Sequence, residues 1–139
     1  MEVLYTASAT AVGGRAGHIR SADGVLDLPL AHPKELGGPG GGATNPEQLF
    51  AAGYAACFEN ALLRVARERK APIRESSVTA HVGIGRAADG FFRLQVALEV
   101  SVPGRDQAEI EVVARIAHAE VCPYSRATRG NIEVQVTVA

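Results

Sequence analysis

Tryptophan is missing from this chain, methionine occurs once, and cysteine occurs only at Cys57 and Cys122. Three tyrosines and four phenylalanines complete the aromatic set. Any core must therefore be filled mainly by aliphatic residues and alanine. Two cysteines in 139 residues exclude a disulfide scaffold, which needs a denser set in a shorter chain. Their wide separation in sequence excludes a Cys-x-x-Cys motif and a zinc ribbon. No metal spacing links His18, His32, His81 and His118, so no metal is expected. An excess of one charge is also lacking, because 14 Lys and Arg face 15 Asp and Glu for a net charge of −1. That balance speaks against nucleic acid or an anionic membrane as partner, since both require a cationic footprint. The longest uncharged apolar-rich stretch, residues 48–58, is too short to span a bilayer. Residues 1–6 hold no basic segment followed by an apolar run, so no signal peptide is expected. The expected compartment is the cytoplasm, which keeps thiols reduced.

What is present is globular in kind. Hydrophobic residues make up 47% and charged residues 21% of the chain, whose length suits one domain spanning residues 1–139. Three short strands are predicted in the first 30 residues, over 2–10, 15–21 and 25–28, with turns at Gly13-Gly14 and Asp23-Gly24. Residues 37–42 read Gly-Gly-Pro-Gly-Gly-Gly, but Ala43-Thr44 follow where a phosphate-binding loop needs Lys and Ser or Thr. The segment is read as a loop. Thr44-Asn45-Pro46-Glu47 offers a cap, proline at the first helical position and an acid in the first turn, so a helix is predicted from residue 46 to about 70. Its first half is apolar on every face and should be buried all round. Alternating strands follow over 78–84 and 92–102, then a helix over 107–120 with Ile110, Val113, Ile116 and Ala117 inward, then a strand over 132–138. The order β-β-β-α-β-β-α-β reads as α+β with antiparallel sheets. One sheet covers only one side of the apolar helix, and a second copy of the chain is the economical cover for the rest.

Four residues stand out as carriers of chemistry, each with a plainer alternative. By periodicity alone Cys57 is a small hydrophobe in a dry helix. Cys122 precedes Pro123 and is pushed out of helical geometry. A short helical turn starting at Pro123 would place it at the cap, where a helix N-terminus favours the thiolate; otherwise it is a loop cysteine. Arg15 follows the Gly-Gly turn and is otherwise a solvated edge charge. Glu47 is at least first-turn helix chemistry. It precedes Cys57 by ten residues on one helix, roughly 15 Å of axis, so the two cannot touch without a third group.

The segment Thr44-Asn45-Pro46-Glu47-Gln48-Leu49-Phe50-Ala51-Ala52-Gly53-Tyr54-Ala55-Ala56-Cys57-Phe58 closely resembles the signature of the organic hydroperoxide resistance (Ohr) branch of the OsmC/Ohr family. Val121-Cys122-Pro123-Tyr124-Ser125 and Ala127-Thr128-Arg129-Gly130-Asn131 match its second signature, and Gly13-Gly14-Arg15, Ser21-x-Asp23-Gly24 and Glu35-Leu36-Gly37-Gly38 fall in order before them. The Pro46-Glu47-Gln48 and Cys122-Pro123-Tyr124-Ser125 blocks favour Ohr over the OsmC branch. The resemblance implies a thiol peroxidase for organic hydroperoxides, built as an intertwined homodimer whose sheets wrap long central helices. It implies that Cys57 is the peroxidatic cysteine and Cys122 the resolving one. It further implies that Arg15 activates Cys57, that Glu47 holds Arg15, and that Tyr124 lies close by. No bound cofactor is implied, and a lipoylated protein is the usual electron donor. His18 and Ile19 stand where a basic and a small residue are expected, and Arg126 stands in place of Asn.

These roles are chemically coherent. Peroxide cleavage needs a thiolate, which an apolar helix disfavours unless a cation is near. Arginine stays charged when partly buried, and a carboxylate can hold it bidentately. Phe50, Tyr54 and Phe92 are candidates for an apolar pocket that selects alkyl or lipid hydroperoxides. Two other readings remain at this point: a dimer that binds an apolar ligand without catalysis, and a one-shot redox sensor.

Overall fold

The computed structural model describes residues 1–139. Two compact units divide the chain, Met1–Leu49 and Phe50–Ala139.

The first unit is an antiparallel sheet of β1 (Ala9–Val12), β2 (His18–Ser21) and β3 (Asp27–Pro29), in that order. Thr10 pairs with Arg20, and Ile19 with Leu28. The predicted strand over 2–10 is cut short, and its pairing begins only at Ala9. The cause lies in β2, which ends at Ser21 where the Asp23-Gly24 turn begins. After Ala22 N–H bonds to Ser8 C=O at 2.9 Å, no strand of this unit continues the ladder. Between β1 and β2 the backbone turns through positive φ at Gly13 (79°) and Gly14 (57°). L-residues with side chains seldom adopt that region, and the turn sets Arg15 on a short 3₁₀ turn, Gly14–Ala16. After β3, Leu30 bridges Thr44 across the glycine-rich loop, with Ala31 N–H on Thr44 C=O at 3.0 Å.

Helix α1 (Pro46–Glu68) starts as predicted, two residues short at its end. Asn45 caps it by accepting the Gln48 N–H at 2.8 Å. In the second unit β4 (Ser77–Arg86) pairs antiparallel with β5 (Phe92–Ser101), and β6 (Val134–Val138) pairs with β5 in parallel. The β5–β6 pairing departs from an all-antiparallel expectation. Between those strands run α2 (Gln107–Ile116), a π-helical stretch (Ala117–Val121) and α3 (Pro123–Thr128), a crossover long enough to bring the chain back in the same direction. Asp106 caps α2 by accepting the Glu109 N–H at 2.9 Å.

The core of this unit holds Val96, Leu98 and Val100 from the sheet, Phe58, Leu62 and Val65 from α1, and Ile110 and Val113 from α2. It is aliphatic with two aromatic rings, Tyr54 and Phe58, as the composition requires. Ile116 is only half-buried, and Ala114 joins the inner stripe in its place. The first half of α1 is not buried all round within one chain, because Ala52 and Ala56 are exposed on one stripe. The helix predicted over 107–120 stays α-helical only to Ile116. Cys122 N–H then bonds to Ala117 C=O at 2.8 Å, five residues back, and Cys122 takes extended ψ (118°) because Pro123 excludes the α conformation there. No helix is long and apolar enough to cross a membrane.

Candidate active site

Within the second unit the two cysteines meet. Cys57 lies half-buried on α1, and Cys122 is fully buried at the cap of α3. Both thiols are free, and the Cys122 S–H donates to Cys57 Sγ across 3.7 Å. A disulfide needs about 2.05 Å between sulfurs, so closure asks for a small displacement of one or both side chains.

Burial pushes the Cys57 thiol above its ordinary value, and the neighbouring Cys122 thiol adds to the rise. One group opposes this: the backbone N–H of Tyr124 lies on the side of the Cys57 sulfur and favours the thiolate. Pro123 has no N–H, and Cys122 makes no capping hydrogen bond with its side chain.

Aromatic rings share the core with the thiols: Tyr54 and Cys122 are buried in it, and Phe50 and Cys57 pack against it. Phe50 and Tyr54 meet edge to face with centroids 6.0 Å apart, and Tyr124 packs on both, 6.3 Å from Phe50 and 5.6 Å from Tyr54. Gly53 is the seat of the Tyr124 ring, since a Cβ there would stand 3.1 Å from Tyr124 Oη. Phe92 is placed differently, at the start of β5, 57% exposed and covered by the Arg86 guanidinium 4.3 Å from its centroid.

Sequence reasoning missed a set of polar groups behind this cluster. The buried Tyr54 hydroxyl lies 3.0 Å from Ser125 Oγ and 3.2 Å from Thr128 Oγ1. Ser125 Oγ also lies 2.9 Å from His118 Nδ1. Burial and the nearby Arg129 hold His118 below the ordinary histidine value. Ser125 and Thr128 are spaced i, i+3 in the Pro-initiated turn, the one signal that places both on one face.

Within the first unit Arg15 and Glu47 form a two-pronged pair. Arg15 Nη1 donates to Glu47 Oε2 at 2.8 Å, and Nη2 to Oε1 at 2.7 Å. The guanidinium holds the Glu47 carboxyl below the usual carboxylate range, against the effect of burial, and Glu47 in turn raises Arg15. The Arg15 side chain is 33% exposed and that of Glu47 12%. The unexpected His18 pairs with Asp27 across β2 and β3, on the surface. Arg126 is exposed and reaches the Glu120 carbonyl at 3.4 Å. No group of three or more metal-ligating side chains occurs.

Comparison with known proteins gives concordant matches. Residues 38–137 match the model of a family described as OsmC-like protein. An organic hydroperoxide resistance protein of Xanthomonas axonopodis pv. citri is 54% identical over 139 residues, covering 99% of this chain and 96% of that protein. The crystal structure of an organic hydroperoxide resistance protein from Legionella pneumophila superposes with a TM-score of 0.92 at 51% identity, covering 99% of each chain. That of a counterpart from Vibrio cholerae, with captopril bound in one of its active sites, gives 0.91 at 52% identity, covering 99% of this chain and 94% of that one.

Proposed function

The chain belongs to the OsmC-like family, in its organic hydroperoxide resistance branch, and from that premise we propose that it reduces organic hydroperoxides by a cycle of its two thiols. The observation that carries the reading is the 3.7 Å approach of Cys57 and Cys122 sulfurs brought together across 65 residues of sequence. In the first step the Cys57 thiolate attacks the outer oxygen of ROOH. The O–O bond breaks, the alkoxide takes a proton and leaves as ROH, and Cys57 becomes a sulfenic acid. In the second step Cys122 sulfur attacks Cys57 sulfur. A disulfide forms, and the sulfenic oxygen leaves as water with the Cys122 proton. An external dithiol then reopens the disulfide by exchange, and a lipoyl group on a partner protein is proposed for that task.

Arg15 is proposed as the cation that favours the Cys57 thiolate, and Glu47 as the carboxylate that fixes it. Their bidentate pair supports this, as does the need for a charge to offset the burial of Cys57. Tyr124 supports the reaction through its N–H. Phe50, Tyr54 and Phe92 remain the proposed apolar side chains toward the alkyl group. A homodimer is proposed as the working form, on the exposed Ala52 and Ala56 of α1 and the exposed Val12, Val25 and Leu26 of the first unit. Free thiols of this kind suit a reducing compartment such as the cytoplasm.

The test is stopped-flow consumption of cumene hydroperoxide with reduced lipoamide. Steady turnover is expected, lost in Cys57→Ser. Cys122→Ser should let Cys57 pass to sulfinic acid, seen by intact mass. A single stoichiometric event would mark a sensor, and no loss of thiol a binding protein; either outcome overturns the enzyme.

A further inference from the structure

We infer that Ser125 and Thr128 are positioning residues for the resolving step, holding α3 so that Cys122 stays aimed at Cys57. The inference rests on the thiol cycle proposed above.

Beside the buried Tyr54 hydroxyl they are the buried polar side chains of the chain, 0% and 5% exposed, and they stand on the helix whose cap is Cys122. Neither is left unsatisfied. Thr128 Oγ1 donates to the main-chain carbonyl of Tyr124 at 3.0 Å, or to that of Ser125 at 3.2 Å. With its one proton committed there, Thr128 accepts from the Tyr54 hydroxyl. Tyr54 Oη then accepts from Ser125, and Ser125 Oγ accepts from His118 Nδ1–H. The protons run one way, from an imidazole to a carbonyl, with each hydroxyl giving once and receiving once.

This chain joins three pieces of backbone: α1, which carries Cys57; the π-helical stretch that leads into Cys122; and α3 itself. Arg129 secures the middle piece, donating to the carbonyls of His118 at 2.8 Å and Ala119 at 2.7 Å. Apolar contacts would allow α3 to slide along α1, because dispersion is non-directional. Hydrogen bonds from both sides do not. Ser125 follows Cys122 by three residues, so fixing its Oγ fixes the turn that presents Cys122 Sγ and the Tyr124 N–H.

The second step is the one that depends on this aim. Cys57–SOH and Cys122–SH give the disulfide and water. If they are slow to meet, a second hydroperoxide converts Cys57–SOH to the sulfinic acid with release of another ROH, a dead end for the cycle. Loosening α3 also weakens the Tyr124 contact to Cys57, so the first step slows too, but less.

The experiment measures both steps in the full-length protein, in Ser125→Ala and, separately, in Thr128→Val, a near-isosteric change. Rapid mixing with cumene hydroperoxide, quenching and intact mass follow sulfenic acid, disulfide and sulfinic acid. The rate of disulfide formation relative to that of sulfenic acid formation is expected to fall at least about tenfold in Ser125→Ala, which loses two hydrogen bonds, each on a scale worth roughly tenfold in rate. The share of sulfinic acid per turnover should rise with it, and Thr128→Val should move both readings the same way. Equal slowing of the two steps, or a lower melting temperature with an unchanged ratio, means the hydroxyls serve stability alone and overturns the inference. Unchanged kinetics in both variants overturns it as well. Failure of the parent protein to form any disulfide would instead sink the thiol cycle.

Discussion

A guanidinium gripped through two parallel hydrogen bonds cannot be replaced by a point charge without loss. Arg15→Lys keeps the cation but gives up the planar fork that matches both oxygens of Glu47. Arg15→Ala removes the charge as well. In a Cys122→Ser background, where Cys57 is the sole thiol, the pH midpoint of iodoacetamide alkylation should rise in the order parent, Lys, Ala. The sign follows from the proposed role of Arg15: burial already lifts the Cys57 thiol, and under that role losing the cation would lift it further. A parent and an Arg15→Ala protein with the same midpoint would remove Arg15 from the mechanism. At this scale the sequence was unevenly legible. Cys57 by its own periodicity is a core hydrophobe, and only the match of a whole motif singled it out. Ser125 and Thr128 lay inside the matched signature without any role, and His118 carried no mark, because a buried hydroxyl in a short turn has the same letters as a solvated one. The Tyr124 N–H is invisible in principle, being a main-chain group.

Elements were legible where a local rule fixes them. Proline and capping asparagine set the start of α1 to the residue, and Pro123 set the break before α3. Alternation along β4 and β5 identified their buried faces. It did not identify neighbours, which is why the parallel placing of β6 on β5 was unforeseen. Nor does composition mark the widening of α2 into a π-helix, which depends on the Cys122 N–H reaching five residues back. That stretch also holds a half-buried histidine with a depressed pKa. Free histidine titrates near 6.5, so below that pH an unfolded chain takes up a proton that folded His118 resists. The stability due to neutral His118 is present above the unfolded value and is lost as pH falls through the lower folded one. Thermal melts from pH 7 downward should show the parent losing stability below about pH 6.5, and His118→Gln losing less. Parallel curves would mean that His118 titrates alike in both states.

At the scale of the molecule, a chain without tryptophan built its core from valine, leucine, isoleucine and alanine, with Tyr54 and Phe58 as the largest fully buried side chains. The fold class was readable from the order of elements, but the extent of β1 was not, because a strand needs a partner and β2 is four residues long. Alanines on the open stripe of α1 allow another surface to approach closely. Ala52→Glu puts a charge there and leaves the buried face untouched. Analytical ultracentrifugation should find the parent at twice its chain mass and the variant shifted toward a single chain. A parent of single-chain mass ends the proposed assembly.

The sulfur pair has one more effect, on how the chain resists unravelling. Joining Cys57 to Cys122 ties off a loop of 65 residues; a link of that span restricts the unfolded chain by roughly 4 kcal/mol in the loop-entropy account. Under the proposed cycle, the oxidised form would then be the tougher of the two. The reduced form would be looser and easier to digest, so in that cycle the peroxide that consumes the thiols would also shelter the chain that carries them.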